Sequence, residues 1–191
     1  VSWTPPAGTP EITGYEVRAY ANGDTAQATR LSVPATATSA VLTGLTNGIW
    51  YGFDVVAGNT GGFGGPSAWQ SALVHTVPDA PTGLQAVIGN GQVALSWGVP
   101  ASDGGYPMVA DGTFYRVTTY QGSDVVGAPV TTASWVQTAT VTGLTNGTTY
   151  TFSVVAGNPA GAGAPASTTG TPQAPPTIPG APTIQSVAPG D

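Results

Sequence analysis

Short runs of alternating hydrophobic and polar residues follow one another along the chain. In GQVALSW the apolar positions are Val93, Leu95 and Trp97, and in TFYRVTTY they are Tyr115 and Val117. A period of two is typical of a β-strand with one face on a core and the other in water. Gly, Pro, Asn and Thr bound the runs, and these residues favour turns between strands. The pattern predicts an all-β protein.

A stretch of the sequence occurs twice, which indicates that the chain contains more than one unit. LTGLTNGIWYGFDVVAGNTGGFGGPS begins at Leu42, and VTGLTNGTTYTFSVVAGNPAGAGAPA begins 99 residues later at Val141. A period of about 100 residues is the size of one β-sandwich domain and too long for a solenoid repeat. Within each copy an Asn-Gly pair predicts a tight turn with positive φ before the long strand.

The phase of the repeat predicts where each unit begins and ends. A first domain over residues 1–76 lacks its opening strand, and a short linker covers 77–80. A complete domain occupies 81–172, a Pro-rich linker 173–180, and residues 181–191 start a third, truncated domain. We therefore expect the chain to be part of a longer tandem array.

Aromatic residues at repeated positions give the units a family resemblance. A Trp in the second strand, a Tyr in the third strand and the spacing L-x-N-G-x-x-Y recur in order: Trp3 and Trp97, Tyr15 and Tyr115, Leu45–Tyr51 and Leu144–Tyr150. On these residues the chain resembles tandem fibronectin type III domains of the bacterial and bacteriophage type. The resemblance implies seven-stranded antiparallel β-sandwiches of the immunoglobulin-like class. It also implies that the Tyr51 and Tyr150 hydroxyls bind the backbone near the preceding Leu, as a tyrosine corner.

Charge and composition exclude several kinds of partner. The net charge is −6, with three Arg and no Lys, so we expect no nucleic-acid partner and no docking on an anionic membrane. No apolar run approaches the roughly 18 residues of a membrane span, and no membrane insertion is expected. Cysteine is absent, which excludes disulfides and thiolate metal sites.

The usual catalytic and metal-binding groups are scarce. His75 is the only histidine, and its position in a predicted last strand indicates a solvent-facing side chain rather than a base. Asp103 and Asp111 share the long loop Pro100–Thr113, where Ca²⁺ binding is an alternative to ordinary turn chemistry. We favour the turn, and predict no catalytic residue, cofactor or metal, and no enzymatic activity.

Loop aromatics are the best candidates for partner binding. Phe63 lies in the Gly-rich loop of the first unit, and Tyr106 and Met108 lie in the long loop of the second. Exposed aromatic residues commonly anchor protein interfaces, so Phe63 and Tyr106, together with the neighbouring Met108, are candidate contacts for a protein or glycan surface. The Arg-Gly-Asp tripeptide of some animal family members is absent from both Gly-rich loops. Aromatic sugar platforms are a further alternative, although the sequence does not space Trp50, Trp69 and Trp135 as a row on one face.

The strand pairing of the family predicts one ion pair. Arg18 and Asp54 face outward on strands that are neighbours in one sheet, so we expect a cross-strand pair between them. In the second unit we expect Ser153 to stand opposite Arg116, without a carboxylate.

These features favour a non-catalytic structural or interaction module. Our first hypothesis is a spacer or adhesive array in a bacterial extracellular or cell-surface protein. The alternatives are decoration of a bacteriophage capsid or tail, with the module on the virion surface in many copies, and an accessory array of a secreted polysaccharide-degrading enzyme.

Overall fold

The computed structural model describes residues 1–7 and 11–186, which form antiparallel sheets and contain no helix. The all-β fold expected from the alternating pattern is confirmed. Because these residues contain no helix, none of them forms an apolar helix long enough to cross a membrane.

The first unit contains five strands in one sheet: β1 Gly14–Ala21, β2 Ala28–Pro34, β3 Ile49–Asn59, β4 Gly62–Pro66 and β5 Gln70–Val74. Their order is β2-β1-β3-β4. The strand β4 pairs with the C-terminal part of β3, and β5 pairs with the N-terminal part of β3. The opposite side of the core is covered by segments joined through a single bridge, Ser2 with Ser39. Backbone hydrogen bonds flank this bridge, from Trp3 to Thr38 and from Ala40 to Val1.

The second unit contains eight strands: β6 Thr82–Gly89, β7 Gln92–Gly98, β8 Phe114–Gln121, β9 Asp124–Val125, β10 Val130–Ala133, β11 Thr138–Thr142, β12 Tyr150–Asn158 and β13 Gly161–Gly170. One sheet has the order β10-β8-β12-β13, and the other has β11-β7-β6. The two-residue β9 pairs with the same edge of β8 as β10 does. The sandwich therefore has seven strand positions, as the resemblance implies.

The predicted inward faces form the core of the second unit. Val93, Leu95 and Trp97 of β7 and Tyr115 and Val117 of β8 are all buried. The inward residues of β12 complete this cluster: Tyr150, Phe152, Val154 and Ala156. Period-two patterning was sufficient to predict these faces because one side of each strand meets the facing sheet.

The two units share the aromatic contacts that define the repeat. The Trp97 and Tyr115 rings lie 5.4 Å apart, and the Trp3 and Tyr15 rings lie 5.3 Å apart. Both tyrosine corners are formed. The amide of Thr145 donates a hydrogen bond of 3.1 Å to the Tyr150 hydroxyl, and Thr46 donates one of 3.2 Å to Tyr51.

After β13 the chain forms no further strand up to residue 186. The predicted third domain begins within this exposed segment. Its last residues, 187–191, lie outside the part of the chain that the structure describes.

Candidate functional site

The outer face of the first sheet carries the predicted ion pair. Arg18 of β1 and Asp54 of β3 are directly opposite each other in the register. The guanidinium donates two hydrogen bonds to the carboxylate, from Nε at 2.6 Å and from Nη2 at 2.9 Å. These bonds raise the pKa of Arg18 above its ordinary value. The Arg18 side chain is only 18% exposed and that of Asp54 only 7%. The pair is therefore more buried than the sequence indicated.

The counterpart in the second unit differs from the prediction. Arg116 stands opposite Val155, and Ser153 stands opposite Thr118. The position equivalent to Arg18 is therefore Thr118, and the expected placement of Ser153 opposite Arg116 is wrong. Aligning Arg18 with Arg116 gives the wrong register, because the third-strand tyrosines Tyr15 and Tyr115 are the equivalent positions.

Removing Asp54 is expected to destabilise the first unit. Asp54→Ala leaves a half-buried guanidinium without its acceptor, and we expect a loss of about 1–2 kcal/mol in the free energy of unfolding. Glu16→Ala is the matched control, because Glu16 pairs with Arg30 on the same sheet but the Arg30 side chain is 53% exposed. Urea unfolding followed by fluorescence measures both. If both variants lose the same free energy of unfolding, burial does not determine how much an ion pair contributes to the stability of this unit.

The three candidate partner-binding residues occupy different environments. Phe63 is 64% exposed, and its ring lies against Gly58, where an added Cβ would be 2.9 Å from the ring. It lines an open pocket of about 430 Å³ together with Pro6 and Ile12. Phe63 is thus displayed at the surface, as the sequence predicted.

Met108 is not displayed. It is 8% exposed and belongs to the buried core cluster of the second unit, which includes Trp97. The expectation that it presents a binding surface is wrong because the long loop folds back over the open end of the sandwich and buries this side chain. Thr113 fixes the fold of the loop by donating to the backbone oxygen of Met108 at 3.0 Å.

Tyr106 is half-buried and contacts the first unit. Its ring lies 5.1 Å from the ring of His75, and its hydroxyl donates to the backbone oxygen of Asp111. His75 follows β5 and is also half-buried, with Nδ1 3.0 Å from the backbone oxygen of Leu73. The predicted solvent-facing histidine on a strand is therefore wrong, and its neighbours are an aromatic ring and a carbonyl.

The contact between His75 and Tyr106 belongs to a larger inter-unit joint. We use this name for the contacts of residues 75–78 and Gly48 with two loops of the second unit, 102–106 and 158–163. The backbone amide of Thr76 donates to Gly104 O at 2.9 Å. The side-chain amide of Asn158 donates to Thr76 O at 2.7 Å and to Asp103 O at 3.2 Å. Asn158 is 3% exposed, so it joins the last segment of one unit to both loops of the next.

Three glycines let the backbones of the joint approach each other. An added Cβ would lie 2.2 Å from Thr76 O at Gly104, 2.2 Å from Gly48 N at Gly105 and 2.0 Å from Pro78 O at Gly163. Real Cβ atoms do not approach backbone atoms this closely. The joint is therefore close-packed, and the long loop Pro100–Thr113 provides much of it.

One of the two loop aspartates, Asp103, stabilises a turn with its side chain. The Asp103 carboxylate accepts a hydrogen bond of 2.8 Å from the Gly105 amide, which is ordinary Asx-turn geometry. Among the described residues no group of three or more His, Cys, Asp or Glu side chains is arranged to hold a metal ion.

The three non-core tryptophans are all exposed, at 57% for Trp50, 45% for Trp69 and 69% for Trp135. Two of them share a face, which their spacing in the sequence does not indicate. Trp50 points to the same side of β3 as Gly52 and Asp54, since alternate residues of a strand face one way. The Trp69 ring occupies the space above Gly52 on that side. This placement was not evident from the sequence, because Trp69 precedes β5 and only the pairing of β5 with β3 brings it over Gly52.

Comparisons with known proteins identified a family model and several similar proteins. The family model for the fibronectin type III domain matches residues 1–72 and 79–172. A Kelch domain-containing protein of Saccharolobus solfataricus is 32% identical over 128 residues, which is 67% of this chain and 17% of that protein's length. Among solved structures, the FN1–FN3 domains of chicken CNTN1 align with a TM-score of 0.48 and 17% identity, covering 84% of this chain and 56% of theirs. A two-domain segment of chicken tenascin aligns with a TM-score of 0.47 and 20% identity, covering 89% of each chain.

Proposed function

The chain belongs to the fibronectin type III family, and from this premise we propose that it is a non-catalytic spacer of a bacterial extracellular surface protein. In this role, tandem units hold another part of the protein away from the cell. The observation that carries the proposal is the inter-unit joint, because a spacer must resist bending between its units. Asn158 and the close contacts at Gly104, Gly105 and Gly163 supply that resistance.

The second unit has six more residues between Trp97 and Tyr115 than the first unit has between Trp3 and Tyr15, and part of this longer loop forms the joint. Domains of one chain commonly move relative to each other unless their interface is large or tightly packed. Here the linker is short. The backbone amides of Thr76 and Asp79, on either side of Val77, both donate hydrogen bonds to the long loop. The loop that the sequence suggested for ligand binding is thus used between the units.

The first unit has the same asparagine at the equivalent position. Asn59 accepts a hydrogen bond of 2.8 Å from the Gly61 amide, as Asn158 accepts one of 2.9 Å from the Ala160 amide. The first unit therefore shares the asparagine of the joint but not the longer loop that Asn158 contacts through Asp103.

The spacer function is tested by the distance between the two units in solution. The chain has no cysteine, so spin labels can be attached at cysteines introduced for Val41 and Val125, which are 81% and 55% exposed. Pulsed electron paramagnetic resonance should give a single narrow distance distribution. A distribution as broad as that of a flexible linker would contradict the spacer role.

The proposed location has a separate test. Antibodies raised against the purified chain should label intact cells of the source bacterium without permeabilisation. Labelling that appears only after permeabilisation would contradict a surface location. Labelling confined to virus particles would instead support the virion alternative.

A further inference from the structure

The outer face of the first sheet contains an aromatic platform, which we define as Trp50, Trp69 and Tyr20 around Gly52. We propose that this platform binds a neutral polysaccharide, with sugar rings stacked on the two tryptophans. The inference is independent of the spacer role, since it concerns one face of one unit.

Trp69 is held in a fixed position on the sheet. Its ring stacks on Tyr20 with centroids 5.0 Å apart and an interplanar angle of 18°. A Cβ at Gly52 would lie 1.7 Å from Cζ2 of the indole, so only glycine at this position allows the ring to lie there. Tyr20 is 5% exposed beneath it, whereas Trp69 keeps 45% of its surface. A ring held in place before binding loses little conformational entropy when a ligand stacks on it.

Trp50 extends the platform along β3. It precedes Gly52 by two residues and therefore faces the same side, at a spacing of about 7 Å along the strand. It is 57% exposed. Ser71 is paired directly with Gly52 in the register and is also exposed. Apolar rings with a polar neighbour match the amphipathic surface of a sugar, whose C–H face is apolar and whose edge carries hydroxyl groups.

The charge of this sheet favours a neutral ligand. Strands β1 to β5 contain four ionised side chains, and all four are paired: Arg18 with Asp54, and Arg30 with Glu16. These five strands thus carry no unpaired ionised side chain for an anionic or cationic polymer. Arg18 also lies 5.8 Å from the centre of the Tyr20 ring, so its pair with Asp54 borders the platform and supports it.

The platform is open along the sheet rather than enclosed, which suits a chain of sugars better than a single small molecule. A protein partner is the competing occupant. Protein interfaces of this kind depend on large complementary surfaces with aromatic anchors in pockets, and here the rings lie on a flat sheet.

Affinity electrophoresis in native gels tests the proposal. Hydroxyethylcellulose, glucomannan and soluble starch serve as neutral probes, and alginate serves as the anionic comparison. At least one neutral probe should retard the chain, and Trp69→Ala and Trp50→Ala should each weaken that retardation about tenfold or more. Trp135→Ala is the matched control, since this exposed tryptophan lies in the other unit, and it should bind like the parent chain.

The two platform variants separate binding from folding. Trp69→Ala also removes the ring that covers Tyr20, so its thermal unfolding is measured alongside. Trp50→Ala removes only an exposed side chain and should unfold like the parent. The proposal is overturned if no neutral probe retards the chain, if alginate retards it more strongly than every neutral probe, or if Trp50→Ala binds as tightly as Trp135→Ala.

Discussion

Gly163→Ala is expected to open the inter-unit joint while leaving both sandwiches folded. The added methyl group would lie 2.0 Å from Pro78 O, so either the linker or the loop must move. Such overpacking costs about 1–3 kcal/mol. That penalty would shift the equilibrium between the closed and open joint about 5- to 150-fold. The distance distribution between labels at positions 41 and 125 should broaden markedly.

Gly64→Ala provides a matched control at the equivalent position of the first unit. Both glycines face the same element of their own sheet, at 3.6 Å from Ala57 O for Gly64 and 3.5 Å from Ala156 O for Gly163. Neither has a positive φ, so backbone strain is not a factor in the comparison. The two substitutions differ in the contact with Pro78 alone, and Gly64→Ala should leave the distance distribution narrow.

The outcome separates two views of the joint. If Gly163→Ala keeps the narrow distribution of the parent chain, Pro78 has moved locally and the joint does not depend on this close approach. If Gly64→Ala broadens the distribution as much, the effect comes from the strand and not from the joint. Circular dichroism of both variants checks that the sheets remain folded.

The sequence predicted the features that repeat with a regular period. The inward faces of β7, β8 and β12 follow from alternation alone, and the family resemblance carried by the L-x-N-G-x-x-Y spacing implied the tyrosine corners. The pair of Arg18 with Asp54 required one further fact, the order of neighbouring strands in the family. Each of these features depends on local spacing or on a strand register that the whole fold imposes.

The features that the sequence did not predict depend on contacts between distant segments. Met108 looks like an exposed loop residue until the path of the loop over the sandwich is known. Trp69 lies over Gly52 because β5 pairs with β3, a relation that neither segment encodes by itself. The role of Asn158 could not be predicted without knowing where the preceding unit lies. The sequence around Asn158 is nearly the same as that around Asn59, so it does not distinguish the two.

Phe152→Ala is expected to produce the largest loss of stability. Phe152 is fully buried between the two sheets of the second unit. Removing a buried Phe ring typically costs about 3–5 kcal/mol, because apolar contact is lost and a cavity remains. Since a domain of this size is stabilised by only about 5–15 kcal/mol, the second unit should unfold at a much lower urea concentration.

Phe53 is the repeat-equivalent residue and allows a comparison at constant chemistry. It is only partly buried. In the first unit the segments that face this sheet pair through the bridge of Ser2 with Ser39, and they cover Phe53 less completely than the second sheet covers Phe152. Phe53→Ala should therefore cost clearly less than Phe152→Ala. Urea unfolding monitored by Trp fluorescence measures both, and Trp97, buried in the second unit alone, reports on that unit. Equal losses at the two positions would contradict this explanation. They would mean that the facing sheet does not determine how much each phenylalanine contributes to stability.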